Sequence, residues 1–591
     1  DVTTNGNHFT PVNLDYRDSV PDAPTNNFAV LNALANRSGT LSNGNLSIAT
    51  TSTQNATEGT YQLPSSLKWY FEFVGNSTSG AYGEVGISTA GTELYSNGAG
   101  FYSNVIRFNN ATIKSGISFG TTDVLQVAYD GSNRKVWLGI NNTWYAADGG
   151  TDGNPSSGTN ESGTLAANEW FPSVWTVSNS GSITANFGQD SSFDGKKSTE
   201  NTNADGNGHG SFAYAPPSGF LSLCSQNLPD VDIIDGTENF NTVLYTGNES
   251  TRSITGVGFR PDFLWIKGRN TAQHHNLYDS LRSDSDGPRR LFSSLDVAEE
   301  STVYSGTTNV SSLDADGFTM GNGTSVNENS KTFVAWNWKI NAGTASNVSA
   351  GGSSNIRLIG GGTADQAAVQ ANTTAGISIV SFENTVRAAD GFCTFPHGLG
   401  SAPDMVLLKS RTSSNYWAIY HSALGLKLGF LGSSIGSNAF INSTFWNAVT
   451  ASTVKFQSNG NLSATDEDII AYCFKNIEGY SKAGSYLGSG DVATAPFIFT
   501  GFRPAFLLIK NSETAESWHL IDSVRNPHNV SNSVVYPNGA AEESAALAAA
   551  NTDILSNGFK IRAASGNTND SGEIYIYLAF AESPFKFANA R

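Results

Sequence analysis

At 591 residues the chain is too long for one hydrophobic core, and roughly three to five domains are expected. Asp and Glu outnumber Lys and Arg by 51 to 33, a net charge of −18, with no basic run beyond "PRR" at Pro288–Arg290. That balance argues against a nucleic-acid partner, or an anionic membrane, gripped through phosphates. Only 14% of residues are charged; polarity comes from 61 Gly and many Ser, Thr and Asn, which favour turns and strand faces and point to an all-β fold.

The chain starts at Asp1, and residues 1–39 read as a connecting segment that continues from an upstream domain, with no signal peptide of their own. No apolar run approaches the roughly 18 residues needed to span a bilayer, so membrane insertion is not expected. From residue 40, short strands alternate with Gly/Asn/Ser turns: "LKWYFEFV" (Leu67–Val74), "GEVGIS" (Gly83–Ser88), "DVLQVAYD" (Asp123–Asp130), "KVWLGINNTW" (Lys135–Trp144), "WFPSVWTV" (Trp170–Val177) and "ITANFGQ" (Ile183–Gln189). The pattern is that of an antiparallel β-sandwich, assigned to residues 40–230 with a C-terminal extension. "NAGTASNVSAGGSSN" (Asn341–Asn355) reads as linker, and the Ala-rich stretch Ala540–Asn551 is the best helix candidate.

Beyond residue 230 the chain repeats itself. "GFRPDFLWIK" (Gly258–Lys267) and "GFRPAFLLIK" (Gly501–Lys510) agree at eight of ten positions, and "GLGSAPDMVLLK" (Gly398–Lys409) is a weaker third copy. A lysine follows each proline (Pro261, Pro403, Pro504) by six residues: Lys267, Lys409, Lys510. Twelve residues further stand Asp279-Ser280, His421-Ser422 and Asp522-Ser523. Each copy ends on an apolar strand ("FVAWNWK", "IIAYCFK", "IYIYLAF"), and two carry "DGF" or "NGF" shortly before it. These spacings define an internal repeat: repeat 1 over 231–345, a linker over 346–365, repeat 2 over 366–480 and repeat 3 over 481–591. Each is long enough for its own core, so the fold expected is a string of β-sandwiches. Apolar residues on both faces of the repeated strand predict a central strand, and its lysine is expected to end the strand with the ammonium in water.

The order and spacing of "WYFEF", "GEVGIS", "DVLQVAYD…RKVWLGINNTW", "WFPSVW" and "ANFGQ" resemble a SPRY (B30.2-like) domain, which implies a concanavalin-like sandwich binding ligands through loops at one end. His8–Asn32, "GSFAYAPPSGFLSLCSQNLPD" (Gly210–Asp230), the tandem "GFRP…WIK…DS" unit and Tyr577–Arg591 are similar to parts of tail-fibre and virion proteins of marine and cyanobacterial phages. The resemblance implies a virion-surface location on tail or capsid, after folding in the host cytoplasm. It also implies partners among host-surface glycans or envelope proteins and other virion proteins, and a homo-oligomer, a trimer by analogy. The function expected is a non-enzymatic tail fibre or adhesin; the alternatives are a capsid-attached fibre without a receptor role and a polysaccharide depolymerase.

No motif brings catalytic groups together, and no catalytic, cofactor-binding or metal residues are assigned. "GSSIG" (Gly432–Gly436) matches a G-x-S-x-G elbow but lacks the following helix. His274-His275, adjacent on a strand, face opposite ways and cannot easily share one ion. Asp284, Asp286, Asp314 and Asp316 read as turn residues rather than a calcium loop. Glu299-Glu300, Asp466–Asp468 and Glu542-Glu543 are expected at the surface rather than as a glycosidase pair. Cys224, Cys393 and Cys473 match no disulfide or metal spacing and are expected as buried free thiols. Tyr416, Trp417 and Trp518 are the aromatic candidates for stacking on a sugar, with core packing as the competing reading.

Overall fold

A computed structural model describes residues 22–587 apart from 24, 36–38, 50–54, 76–83, 92–96, 103, 118, 177–181, 198–200, 285–286, 301–307, 353, 387–390, 435, 459–465 and 545–550. The fold is all-β, as the composition predicts, and divides into two compact units, Asp1–Asp230 and Val231–Arg591. Among the described residues no helix is long and apolar enough to cross a membrane. Of the Ala-rich helix candidate, 545–550 lie outside the described residues, and 540–544 are non-helical, with Ser544 bridged to Val534.

The first unit pairs a nine-stranded with a six-stranded sheet, antiparallel except where Leu221–Ser222 joins Lys68–Gly75. Alternation along Lys68–Gly75 sends Trp69, Phe71 and Phe73 to one side and Tyr70, Glu72 and Val74 to the other. The second side is covered by the extension: Phe212 packs edge-on against Tyr70 at 5.1 Å, and Phe220 against Trp137 at 6.0 Å. The segment around Phe28 is tied to the same extension through Ala29 N–H to the Leu223 carbonyl, 2.9 Å.

In the second unit each repeat is a sandwich of a larger and a three-stranded sheet. Repeat 1 orders its larger sheet Phe240–Thr246, Thr332–Trp338, Phe263–Gly268, Asn276–Asp279, Leu291–Phe292. Repeat 3 keeps the first four as Ser481–Leu487, Ile574–Pro584, Phe502–Asn511 and His519–Asp522. Repeat 2 enlarges the sheet to eight strands, two of which, Ser346–Ser349 and Ile356–Arg357, come from the stretch read as a linker. The motif prolines open the repeated strand, and in repeat 3 Pro504 sits where the register slips, a place that does not need its missing donor.

The repeats do not stand apart on the chain. On the repeated strand, Leu264 and Ile266 of repeat 1 and Val406 and Leu408 of repeat 2 face their own sandwich cores. The alternate residues Phe263, Trp265, Met405, Leu407, Phe506 and Leu508 share one further core. Their register partners Trp338, Phe474 and Phe580 join them there. Phe580 lies 5.6 Å from Trp338 and 5.9 Å from Phe474, so equivalent rings from all three repeats meet in the middle. The second apolar face of the repeated strand is therefore covered by the other repeats.

The "DGF" and "NGF" glycines have a packing reason. A Cβ on Gly317 would lie 2.0 Å from the Ile254 carbonyl oxygen, and one on Gly558 2.0 Å from that of Ile498; Gly317 is also left-handed at φ 109°. Gly317→Ala is expected to destabilise this unit by about 3 kcal/mol or more, since backbone must move to admit the methyl. The check is the shift in its urea midpoint, with Gly352→Ala, which has open space and no positive φ, as control; equal shifts would remove the argument.

Candidate functional site

The three motif lysines are the first departure from expectation. Lys267, Lys409 and Lys510 are fully buried instead of reaching water. Each strand runs into a loop that curls back over its own end, and each ammonium is spent on carbonyls of that loop. Lys267 Nζ donates to Gly268 (2.7 Å) and Thr271 (3.5 Å), Lys510 Nζ to Asn511 and Thr514 (3.2 Å), and Lys409 Nζ to Ser413 (3.5 Å) and Asn415. A neighbouring repeat closes two of the sockets: Ala540 of repeat 3 accepts from Lys267 at 3.3 Å, and Ser437 of repeat 2 accepts from Lys510 at 3.1 Å. Burial pulls Lys267 down to about 8, helped by the nearby Arg525, and pulls Lys409 to about 8 and Lys510 to about 7. Amines of that pKa would be nucleophilic at neutral pH, but sealed under loops they meet no substrate.

The "DS/HS/DS" positions lie on the seams where repeats meet. Asp279 of repeat 1 is fully buried, ion-paired with Arg282 at 2.6 Å, and accepts from the Tyr472 hydroxyl of repeat 2. Asp522 of repeat 3 pairs with Arg525 and accepts from the Trp336 indole of repeat 1 at 3.0 Å. Tyr472 and Trp336 are equivalent positions. The third copy has His421, and Leu424 where the others have arginine; His421 Nε2 meets the Tyr577 carbonyl of repeat 3 at 3.3 Å. The contacts run 1 to 2, 2 to 3 and 3 to 1, so three repeats close a ring within one chain. A second set runs the other way round. Trp417 Nε1 donates to the Phe292 carbonyl (2.8 Å) and Trp518 Nε1 to that of Phe430 (2.9 Å), while the equivalent His275 lies beside the Tyr536 carbonyl.

These contacts place the sequence candidates. Trp417 and Trp518 are 0% and 1% exposed, so their rings fasten seams and cannot stack on a sugar. Tyr416 is half-buried, edge-on against Phe430 at 5.0 Å. The acids expected at the surface are partly drawn in. Glu299 is held by Arg282 (3.0 Å) and by Nε and Nη2 of Arg411 (2.9 Å each), and Glu543 by Arg269 (2.8 and 3.0 Å) and Arg525 (3.2 Å). Burial acts to raise both carboxyls, and the paired guanidiniums outweigh it, holding them below the usual range. That is opposite to what a general acid needs. Asp466 pairs with Arg357 at 2.9 Å. Asp314 takes the Ser312 and Thr319 hydroxyls and Asp316 the Gly256 and Gly258 amides, so the two do not converge; 285–286, and with them Asp286, lie outside the described residues. His274 bonds Ser294 Oγ at 3.0 Å while His275 accepts from Trp265 Nε1 at 2.8 Å, two separate errands. Ser433 and Ser434 of "GSSIG" wrap the Asp296 carboxylate in a bend. The three cysteines are free and buried. Among the described residues no His, Cys, Asp and Glu cluster could hold a metal.

In the first unit, sequence reasoning missed Glu72, a fully buried carboxylate with no cation paired to it among the described residues. It accepts from Tyr70 Oη (2.7 Å), Asn186 Nδ2 (3.2 Å) and the Ala213 and Tyr214 amides (2.9 Å each), which fastens the extension to the sheet. Burial pushes it up to about 7 against those four donors. Its place in the alternating "WYFEF" was the available signal: one acid on an otherwise buried strand.

Residues 235–584 match the family model described as "Domain of unknown function (DUF7483)", well over half of the chain. The chain belongs to the DUF7483 family. The matched span runs from before the first strand of repeat 1 to the last residue of the final strand, Ile574–Pro584, so the DUF7483 region takes in the three-repeat ring. No curated protein matches the chain. Among solved structures, 26% of this chain is similar to 96% of the SPRY domain of human HERC1, at 15% identity and a TM-score of 0.21. At that score the similarity carries no argument about function.

Proposed function

We propose that this DUF7483 protein is a bacteriophage virion-surface protein, a tail fibre or adhesin that holds a host-surface glycan or envelope protein non-covalently. The flanking and repeat stretches that resemble phage tail-fibre and virion proteins support the reading. The observation that carries it is the triplicated ring: one chain shows each outward feature of the repeat in three settings, and a homo-oligomer would multiply them again. Linked weak sites gain avidity without any single strong contact. In the ring, Asp279, Arg282, Glu299, Asp522, Arg525 and Glu543 are spent on joining repeats and the motif lysines on closing loops, which suits a scaffold for binding loops better than a reaction centre.

Purified protein is expected to slow adsorption of virions that carry the chain, and immunogold labelling to place gold on the tail. Gold over the capsid with undiminished adsorption would favour a head fibre instead. Steady release of reducing ends from host polysaccharide would replace the adhesin by a depolymerase.

A further inference from the structure

The seams of the ring differ in one chemical respect. Repeat 1 meets repeat 2 through Asp279, Tyr472 and the Trp417 indole, without a histidine among these contacts. Repeat 3 meets each neighbour through a buried histidine that is acceptor on one nitrogen. At the repeat 2 seam, His421 Nδ1 accepts from the Ala423 amide at 3.3 Å and Nε2 meets the Tyr577 carbonyl. At the repeat 1 seam, His275 Nδ1 accepts from the Trp265 indole, and Nε2 completes no hydrogen bond among the described residues although the Tyr536 carbonyl lies beside the ring. Both rings are fully buried.

We propose that mild acid releases repeat 3 from the other two while the contact between repeats 1 and 2 holds. A second proton must go on Nδ1, which in both residues already receives an N–H. Protonation therefore sets donor against donor, breaking the turn at Ala423 or the indole contact, and leaves an imidazolium under cover. Among the described residues no acid paired with either ring offsets it. Around His421, Asp404, just before the adjoining strand, is taken by Ser422 Oγ (3.1 Å) and the Asn476 amide (2.8 Å), Lys482 points its ammonium to the Phe499 carbonyl, and Tyr577 offers its backbone oxygen. Among the described residues no carboxylate bonds the ring. Around His275 the charged neighbours are Lys267 and Arg525, with His274 adding to them, all cationic on protonation. The equivalent of His421 on the seam between repeats 1 and 2 is Asp279 with its own arginine, and an ionised pair of that kind holds through the pH range in which histidine titrates. The seam between repeats 3 and 1 carries such a pair too, Asp522 with Arg525, so its loosening comes from His275 alone.

Sign and window follow for His421, whose ring is pulled to about 4 by burial, against about 6.5 when exposed. A depressed value means stability present above pH 6.5 and lost as pH falls towards 4; at pH 5 the opening equilibrium of its seam rises about 30-fold over neutral pH.

The test is hydrogen exchange on the full chain at pH 7.5 and 5.0, corrected for intrinsic rates. Protection should fall at pH 5.0 on both seams of repeat 3, around Ser422–Gly425 by about 30-fold and also around Val534–Tyr536, and be kept around Asp279–Arg282 and Tyr472. In the variant carrying His275→Asn and His421→Asn, which keeps an acceptor where each Nδ1 stood, the fall should vanish. Equal loss at all three seams in the native protein overturns the proposal, whether or not the variant folds. So does an unchanged fall in the variant, which would trace the effect to His519, buried inside repeat 3 with no partner on Nδ1 among the described residues.

Discussion

Arg282→Met should destabilise the DUF7483 region by about 3–5 kcal/mol, the scale for leaving one half of a buried ion pair behind. Arg282 is fully buried, and all five of its N–H groups are used. Nε donates to Asp279, Nη1 to the Arg289 carbonyl and Glu299 (3.0 Å each), and Nη2 to the Leu277 carbonyl (3.3 Å) and Tyr472 hydroxyl (3.2 Å). Methionine fills the space and abandons Asp279 as an anion without a cation. Repeat 2 shows that the network is not indispensable to the fold, because His421 and Leu424 occupy the equivalent places. Asp279→His combined with Arg282→Leu transplants that version and should recover at least half of the loss. Urea unfolding of all three proteins decides it; a loss under about 1 kcal/mol for Arg282→Met would mean the pair contributes little.

Raising the pH from 7 to 9 should stabilise the same region by about 3–5 kcal/mol, summed over the three buried lysines at 1.36 kcal/mol per pKa unit. Their folded values, about 8, 8 and 7, lie below the 10.5 of an exposed lysine. A depressed lysine contributes stability that is present above 10.5 and lost as pH falls through the folded value, so stability climbs on the way up. Above about 9 the buried thiols of Cys393 and Cys473, pushed up to about 12, pull the other way, which sets the upper edge of the window. Unfolding midpoints at pH 7, 8 and 9 test this, and Lys510→Met should flatten the slope by about 2 kcal/mol. A flat or falling profile in the native protein would show that the lysines are hydrated after all.

Much of the architecture was legible in the sequence because it depends on local pattern. Alternation marked the strands, fixed spacing marked the repeat, and apolar residues on both faces of "FLWIK" marked a strand covered twice. What covers the second face was not legible, since Phe263 and Phe506 meet through packing of separate repeats. The lysines were misplaced for the same reason: Lys267 looks like a strand end until Ala540, far along the chain, closes over it. Trp417 and Trp518 sit beside loops in sequence, but their indoles find carbonyls in the preceding repeat. Glu299 pairs with Arg282 nearby and with Arg411 more than a hundred positions away, and only the first partner could have been guessed from spacing.

The shared central core also imposes an order on biosynthesis. Repeat 3 emerges last, and Phe240, Trp336 and Trp338 pack against its Phe506 and Phe580. At about 5–20 residues per second, translation of the last hundred or so residues leaves those rings without their final neighbours for roughly 5–20 seconds. During that interval the nascent chain carries a sticky apolar surface shaped to receive a copy of its own repeat, and another ribosome on the same message is the nearest place to find one. Closing the ring within one chain depends on the tethered copy arriving before the neighbour's does.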